Sequence, residues 1–232
     1  MKKLSIIIPV YNEKETIRVI LDKIESVNLN DIEKEIVIID DGSTDGTRDI
    51  LKSIPGIRYV FHEKNLGKGG AVKTGFKNAT GDILIIQDAD LEYDPNDYPA
   101  LVAPILAGET EVTNGVRIKP ENDSRKGSIS YIFHWFGNGL ITWITNVLYW
   151  HYSAEYEACY KAFTKRLVDS IDVKTDNFDF DNELVCKILK RGYRIVDVPV
   201  RYYPRGYEEG KKINWKHGFL ILWTIIKYRF ID

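Results

Sequence analysis

Cysteine is scarce in this chain, with Cys159 and Cys186 the only two among 232 residues. One disulfide is possible, but the expectation is two reduced thiols of a cytoplasmic protein. Charge of one sign is missing too. Lys and Arg number 32 against 34 Asp and Glu, for a formal net charge of -2. That balance gives no electrostatic footprint for nucleic acid. No internal repeat and no low-complexity linker occurs, so nothing forces a domain boundary. The apolar run at the start stops at Pro9, and no small-residue cleavage site follows before Asn12 and Glu13, so it reads as a strand rather than a signal peptide. The spacing of a phosphate-binding P-loop is absent, and no glycine fingerprint of a dinucleotide site follows the first strand. What remains is a chain with 44% hydrophobic and 28% charged residues, ordinary for a folded domain of this length.

Its apolar runs alternate with helical patterns. Strands are predicted over Leu4–Val10, Glu35–Ile39, Ile57–Phe61 and Ile83–Gln87. Helices are predicted over Lys14–Ser26, after Ser43 or Thr44 as a cap, over Gly69–Asn78, and from Pro95 through Leu101 and Ile105. Continuous apolar strands separated by helices imply a mostly parallel α/β sheet with helices on both faces. Ligands of such sheets bind beyond the carboxyl ends of the strands. The residues found there are polar, acidic or glycine-rich in all four cases: Pro9 to Glu13, Asp40 to Ser43, Asn65 to Gly70, and Asp88 to Asp90.

Each loop offers some chemistry and has a plainer alternative. Asp40 and Asp41 can accept hydrogen bonds from a nucleobase or a ribose, or Asp41 can shape a turn. Gly67 and Lys68 lie in a loop whose amides can approach a ligand, or which is a tight turn only. Asp88, Asp90 and Glu92 alternate, and in an extended segment they would share a face. Carboxylates that close repel one another unless a cation sits among them. Magnesium or manganese shared with a diphosphate fits that requirement.

The stretches "SIIIPVYNE", "IIDDGSTDGT", "NLGKGGAVKTGF" and "GDILIIQDADLEYDP" resemble the successive motifs of family 2 glycosyltransferases with the GT-A fold, and Asp88-Ala89-Asp90 resembles their DXD motif. "CYKAF", "ELVCKILKRGYRIVDVPVRYYPR" and "YEEGKK" resemble the dolichol-phosphate mannosyl- and glucosyltransferase branch. The resemblance implies a GT-A domain over 1–212, with a nucleotide-sugar half at 1–118, an acceptor half at 119–212, and an amphipathic membrane-associating helix at 213–232. It implies a nucleotide-sugar pocket at Pro9, Tyr11, Glu13, Asp40, Asp41, Gly67, Lys68, Asp88, Ala89 and Asp90, joined by Arg201 and Lys211 of a basic tail that also holds Arg205 and Lys212. It implies a metal at Asp88, Asp90 and Glu92. Arg117 matches a basic position near the sugar phosphate, and Arg125 and Lys126 are candidates beside it for an acceptor phosphate. Glu155 departs from the Asp common in relatives and leaves the sugar open. With its glycines Gly206 and Gly210, the tail is expected to order over the diphosphate.

The activity implied is inverting transfer of a hexose from a donor such as GDP-mannose or UDP-glucose to a polyprenyl phosphate. A hydroxyl acceptor would instead need a base, and Asp179, Asp181 and Glu183 are the acids in question, with an acid-rich helix N-terminus as the plainer alternative. A non-catalytic nucleotide-sugar binder is a further alternative. Gly127–Ala154 carries no Asp, Glu, Lys or Arg, and Phe133, Phe136, Leu140, Trp143 and Leu148 recur at helical spacing. Interrupted by Gly137, Asn138 and Asn146, it reads as an interfacial helix at the cytoplasmic membrane face, or else as core. Together with Trp215–Phe230 it makes the expected protein peripheral.

Overall fold

Seven strands form one sheet in a computed structural model that describes residues 2–118, 129–177, 179–205 and 216–231. Arg125, Lys126, Lys211 and Lys212, and the glycines of the tail, lie outside the described residues. The strands are β1 (Lys3–Val10), β2 (Glu33–Asp40), β3 (Arg58–Phe61), β4 (Ile83–Ile86), β5 (Val112–Ile118), β6 (Lys161–Thr164) and β7 (Ile195–Arg201). Their order is β3-β2-β1-β4-β6-β5-β7. All neighbours run parallel except β6, which is antiparallel to both β4 and β5. The helices are α1 (Ile17–Ser26), α2 (Thr47–Lys52), α3 (Lys68–Asn78), α4 (Tyr98–Leu106), α5 (Ile129–Tyr149), α6 (Lys165–Asp169), α7 (Phe180–Lys190) and α8 (Lys216–Phe230).

The "SIIIPV" run builds the centre because both of its faces are covered. Ile6 and Ile8 point into one apolar cluster, with Ile38, Ile83 and Ile85 from neighbouring strands and Ile17, Ile20, Leu101 and Val102 from α1 and α4. Ile7 points into the other, with Val37, Ile39, Leu84 and Ile86 from the sheet and Val72, Phe76, Leu184 and Ile188 from α3 and α7. A period of two thus divides each strand between two cores. Gly75 lets α3 lie directly on β1, because a Cβ there would overlap the Ile7 side chain.

One helix start and one strand end that differ from expectation bear on the site. α2 begins at Thr47, behind Gly46 at φ 99°, because Ser43 and Thr44 are engaged elsewhere. The Asn12 N–H donates to Ser43 Oγ at 2.9 Å, and the Thr44 N–H donates to Asn12 Oδ1 at 2.9 Å. These bonds lace the first two loops together. β4 ends at Ile86, so the acids beyond it do not stand on a strand. Asp88, Asp90 and Glu92 lie in a turn with Leu91 at φ 64°, and the alternation argument for a shared face does not hold.

The C-terminal helix is not an appendage. Ile221, Ile225 and Tyr228 of α8 are buried in the same cluster as Ile141 and Tyr149 of α5 and Leu184 of α7. Tyr149 OH donates to the Ile225 carbonyl at 2.8 Å. Both helices carry a second apolar stripe on the opposite side: Phe136, Leu140, Trp143 and Val147 on α5, and Phe219, Trp223, Ile226 and Phe230 on α8, are all exposed. Leu148, expected on the outer stripe, packs partly buried against the core instead. Among the described residues no helix is long and apolar enough to cross a membrane.

Candidate active site

Strand direction decides what meets at the site. The carboxyl ends of β1, β2, β3 and β4 lie on one sheet edge. So do the carboxyl ends of β5 and β7 and, because β6 runs the other way, its amino end. The edge therefore gathers Glu13, Asp40, Lys68 and Asp88 with Arg117, the Glu155–Cys159 stretch and Arg205. It also contains the switch point where the strand order reverses between β1 and β4, the usual place for a ligand.

Asp40 is fully buried. Its Oδ2 accepts from Arg48 Nε at 2.8 Å and Nη2 at 2.5 Å, and Arg48 lies over the Phe61 ring at 4.8 Å. Among the described residues its Oδ1 has no hydrogen-bond partner. A buried carboxylate oxygen without a donor is costly, so this atom is a ready acceptor for an incoming N–H or O–H.

Asp41 behaves differently. It accepts from the backbone N–H groups of Leu66 and Gly67, each at 2.9 Å, and from His62 Nδ1 at 2.7 Å. It shapes the third loop, and both of its oxygens already have protein partners, which supports the turn reading. The Gly67 amide is committed by the same bond. Gly67 takes φ 89°, and a Cβ there would overlap the Asp176 carbonyl. With the Leu66, Gly67 and Gly70 amides bonded within the protein, Lys68 is the side chain this loop brings to the edge. Lys68 Nζ stands 2.6 Å from Asp88 Oδ1 and 2.8 Å from Cys159 Sγ. Burial alone would lower the lysine pKa, but Asp88, with Cys159 and Asp181, outweighs it and holds the ammonium well above its ordinary range.

Asp90 is pushed up to about 7, by burial first and then by the charges of Asp88 and Glu92. Negative charge is thus crowded at this turn, and hard oxygen donors in such a place fit a divalent cation. Among the described residues no cluster of three or more acids, histidines or cysteines is placed to hold a metal. Two carboxylates leave most positions for phosphate oxygens and water, the usual arrangement for magnesium. Glu92 is engaged elsewhere: Oε1 accepts from the Arg205 N–H at 2.9 Å and Oε2 from Tyr202 OH at 3.1 Å. It braces the start of the tail rather than joining Asp88 and Asp90. Arg205 in turn donates to the Asp90 carbonyl at 2.6 Å and pairs with Glu13 at 3.1 Å, tying the tail to the first loop.

Arg201 does not reach the edge chemistry. Its guanidinium is held by Asp97 at 2.6 Å and by Asp94 at 3.5 Å. Arg117 does, with its guanidinium paired to the Glu155 carboxylate and lying 4.9 Å over the Tyr202 ring. Pro9 near the end of β1 and Tyr11 on the first loop are half-buried, and Ala89 is buried in the fourth loop. Asp181 lies close enough to Lys68 and Cys159 to shift both. Glu183 is completely buried: it accepts from the Lys174 and Thr175 amides at 2.9 and 2.8 Å and pairs with Lys187 at 2.7 Å. It has no face for a substrate, so it is a structural acid and not a base.

Two site residues carried no role in the sequence reading. Cys159 abuts Lys68. Glu157 accepts from Asn182 Nδ2 at 2.8 Å, and its pKa is raised by burial. Both belong to the stretch before β6, whose place on the edge depends on that strand's reversed direction, and no local pattern encodes it.

A mostly parallel sheet with this switch point and this acidic turn after β4 defines a GT-A fold. The chain belongs to glycosyl transferase family 2, whose model matches residues 5–168, and it is a glycosyltransferase by that membership. It is 26% identical to UDP-N-acetylglucosamine--dolichyl-phosphate N-acetylglucosaminyltransferase of Methanococcus voltae, over 97% of this chain and 95% of that protein. It is 27% identical to Glycosyltransferase AglD of Haloferax volcanii, over 88% of this chain but only 34% of that protein. Among solved structures it superposes on glucosyl-3-phosphoglycerate synthase of Mycobacterium tuberculosis in complex with Mn2+, UDP-glucose and phosphoglyceric acid. That match has a TM-score of 0.72 and 20% identity, and covers 100% of this chain and 81% of the other.

Proposed function

We propose that this glycosyltransferase moves a hexose, with inversion, from a nucleotide-diphosphate sugar such as GDP-mannose or UDP-glucose to a polyprenyl phosphate, working as a peripheral protein at the cytoplasmic membrane face. The observation that carries the lipid half is the pair of outward apolar stripes on α5 and α8. Phe136, Trp143, Trp223 and Phe230 are each more than 60% exposed, and aromatic residues in such a stripe suit the headgroup level of a bilayer. A polyprenyl phosphate keeps its tail in that bilayer, and the acceptor named for the Methanococcus voltae relative is a lipid phosphate of this kind.

The donor half is supported by the edge itself. The free Oδ1 of Asp40 is an acceptor for the nucleobase or ribose. Asp88 and Asp90 would hold a magnesium or manganese ion, which supplies charge to offset the leaving diphosphate. Arg205 and Lys68 bring further positive charge to the same turn. A lipid phosphate is already an anion near neutral pH, so it needs cations more than a base. Arg117 is a described cation for the acceptor phosphate, and the burial of Glu183 supports a reaction without it as base. The test is a panel of labelled nucleotide-sugars incubated with membrane lipid extract and manganese or magnesium. Label in a phosphate-linked lipid is the expected result. Turnover that needs no lipid phosphate would favour a hydroxyl acceptor, and donor binding without turnover would favour a non-catalytic binder.

A further inference from the structure

We propose that Lys68 is a resident counter-cation of the donor site. Its ammonium competes with a divalent metal for Asp88, and it moves onto the diphosphate when donor and metal arrive together. The inference rests on the donor reading above. Three observations carry it. The Lys68 ammonium is in direct contact with Asp88 Oδ1 at 2.6 Å. It sits among acids from two parts of the chain, with Asp88 and Asp181 both acting on it and Asp90 two residues from its partner. Its backbone is fixed while its side chain is not enclosed. The preceding Gly67 N–H donates to Asp41 Oδ2 and Asn65 Oδ1 at 2.9 and 3.0 Å, whereas the Lys68 side chain keeps 21% exposure. A long flexible stem on an anchored first helical turn can pivot without disturbing the fold.

The consequence follows from charge alone. A divalent cation on the Asp88 carboxylate would lie within a few ångströms of a like-charged ammonium, in a partly buried site where such repulsion is weakly screened. Metal binding by the protein alone is then weak. A nucleotide diphosphate supplies enough negative charge for both cations, so it draws in the metal and gives the ammonium a new partner. Metal and nucleotide therefore help each other, and thermodynamic linkage makes that help equal in both directions.

Free Mn2+ followed by electron paramagnetic resonance, with and without UDP or GDP, tests this on the full chain. The wild type should bind Mn2+ weakly alone and much more tightly with the matching nucleotide. Lys68→Met should bind Mn2+ alone about tenfold tighter, equivalent to about 1.4 kcal/mol of relieved repulsion, and should lose a similar factor of nucleotide coupling. Lys68→Gln should do the same, and Lys68→Arg should keep the wild-type pattern. Asp88→Asn should abolish Mn2+ binding. Folding of each variant is checked by its melting temperature. If nucleotide binds but both neutral variants take Mn2+ no more tightly than wild type, the role of Lys68 is overturned and the donor reading stands. If wild type binds neither nucleotide with Mn2+, the donor reading itself fails.

Discussion

Replacing Phe136 and Trp143 together by Glu removes part of one apolar stripe without touching the core. The two side chains are 65% and 62% exposed. A large aromatic carries about 200 Å² of surface, so each has roughly 120 Å² left to bury, worth about 3 kcal/mol at ~25 cal/mol per Å². Losing both forfeits about 6 kcal/mol of gross membrane attraction, before counting the cost of bringing two carboxylates to the headgroups. Since 1.4 kcal/mol is a factor of ten, partitioning should fall about 10⁴-fold. Stability should hardly move, because exposed substitutions away from special contacts stay within about 0.5 kcal/mol. The contrasting change is Ile141→Glu on the inner stripe, where the residue is only 6% exposed. It should destabilise the fold outright, because it buries an unpaired charge. Flotation with liposomes containing anionic lipid and polyprenyl phosphate is the assay. Wild type should float, and the double variant should stay behind while melting normally. A wild type that remains in solution, or a folded double variant that floats as well, would refute the membrane reading and weaken the lipid acceptor with it.

Asp88→Asn and Asp90→Asn should each cut turnover by orders of magnitude while leaving the melting temperature unchanged or raised, since crowded negative charge is relieved; activity retained by both variants in EDTA would remove the metal role. Asp41→Ala should cost about 2–3 kcal/mol of stability in a denaturant titration, because it strands the Leu66 and Gly67 amides, and a loss of activity with no loss of stability would return Asp41 to the pocket. Glu183, lowered to about 2 by its hydrogen bonds and Lys187 against the cost of burial, has a folded pKa below its unfolded one. Its contribution, at most about 3 kcal/mol, is therefore present above pH 5 and lost as the pH falls from about 5 towards 2. Glu183→Gln should flatten acid unfolding in that window, and an unchanged acid limb would show that the carboxylate is not charged in the fold.

The first half of the site was legible in the sequence because it is local. Each strand end is followed at once by the residues that line the edge, and parallel strands put those ends together without further information. Alternation along a strand predicts a shared face for the acids after β4, but they lie in a turn with Leu91 at φ 64°, and Glu92 braces Tyr202 and Arg205. Asp41 and Asp40 are neighbours of identical chemistry. Only the three-dimensional neighbourhood separates the one committed to the Leu66 and Gly67 amides from the one with a free oxygen. The second half was less legible. The contacts of Glu155 with Arg117 and of Cys159 with Lys68 span 38 and 91 residues and depend on the antiparallel insertion of β6. Helices α5 and α8 posed a different difficulty. Each carries apolar residues on two sides, so periodicity alone could not say which stripe was core.

Two kinds of apolar stripe and two kinds of acid point to one principle of construction. On α5 and α8 the inner stripe is buried against neighbours and the outer one is exposed. At the sheet edge, Asp41, Glu92 and Glu183 have their oxygens matched by protein donors, whereas Asp40 keeps one bare and Asp88 is met by a lysine that can leave. Groups whose partners are supplied by the fold hold the geometry. Groups whose partners are missing or exchangeable are the ones left for something outside the chain. Unmatched polar atoms at a strand edge call for a polar ligand, and unmatched aromatic surface calls for an apolar medium. The proposed transfer from a nucleotide-sugar to a lipid phosphate would use both. The donor-site acids and the helical stripes should therefore fail independently: Asp88→Asn should still float with liposomes, and Phe136→Glu with Trp143→Glu should still bind nucleotide and Mn2+. Loss of nucleotide binding in the folded stripe variant would mean that the two surfaces are not separate.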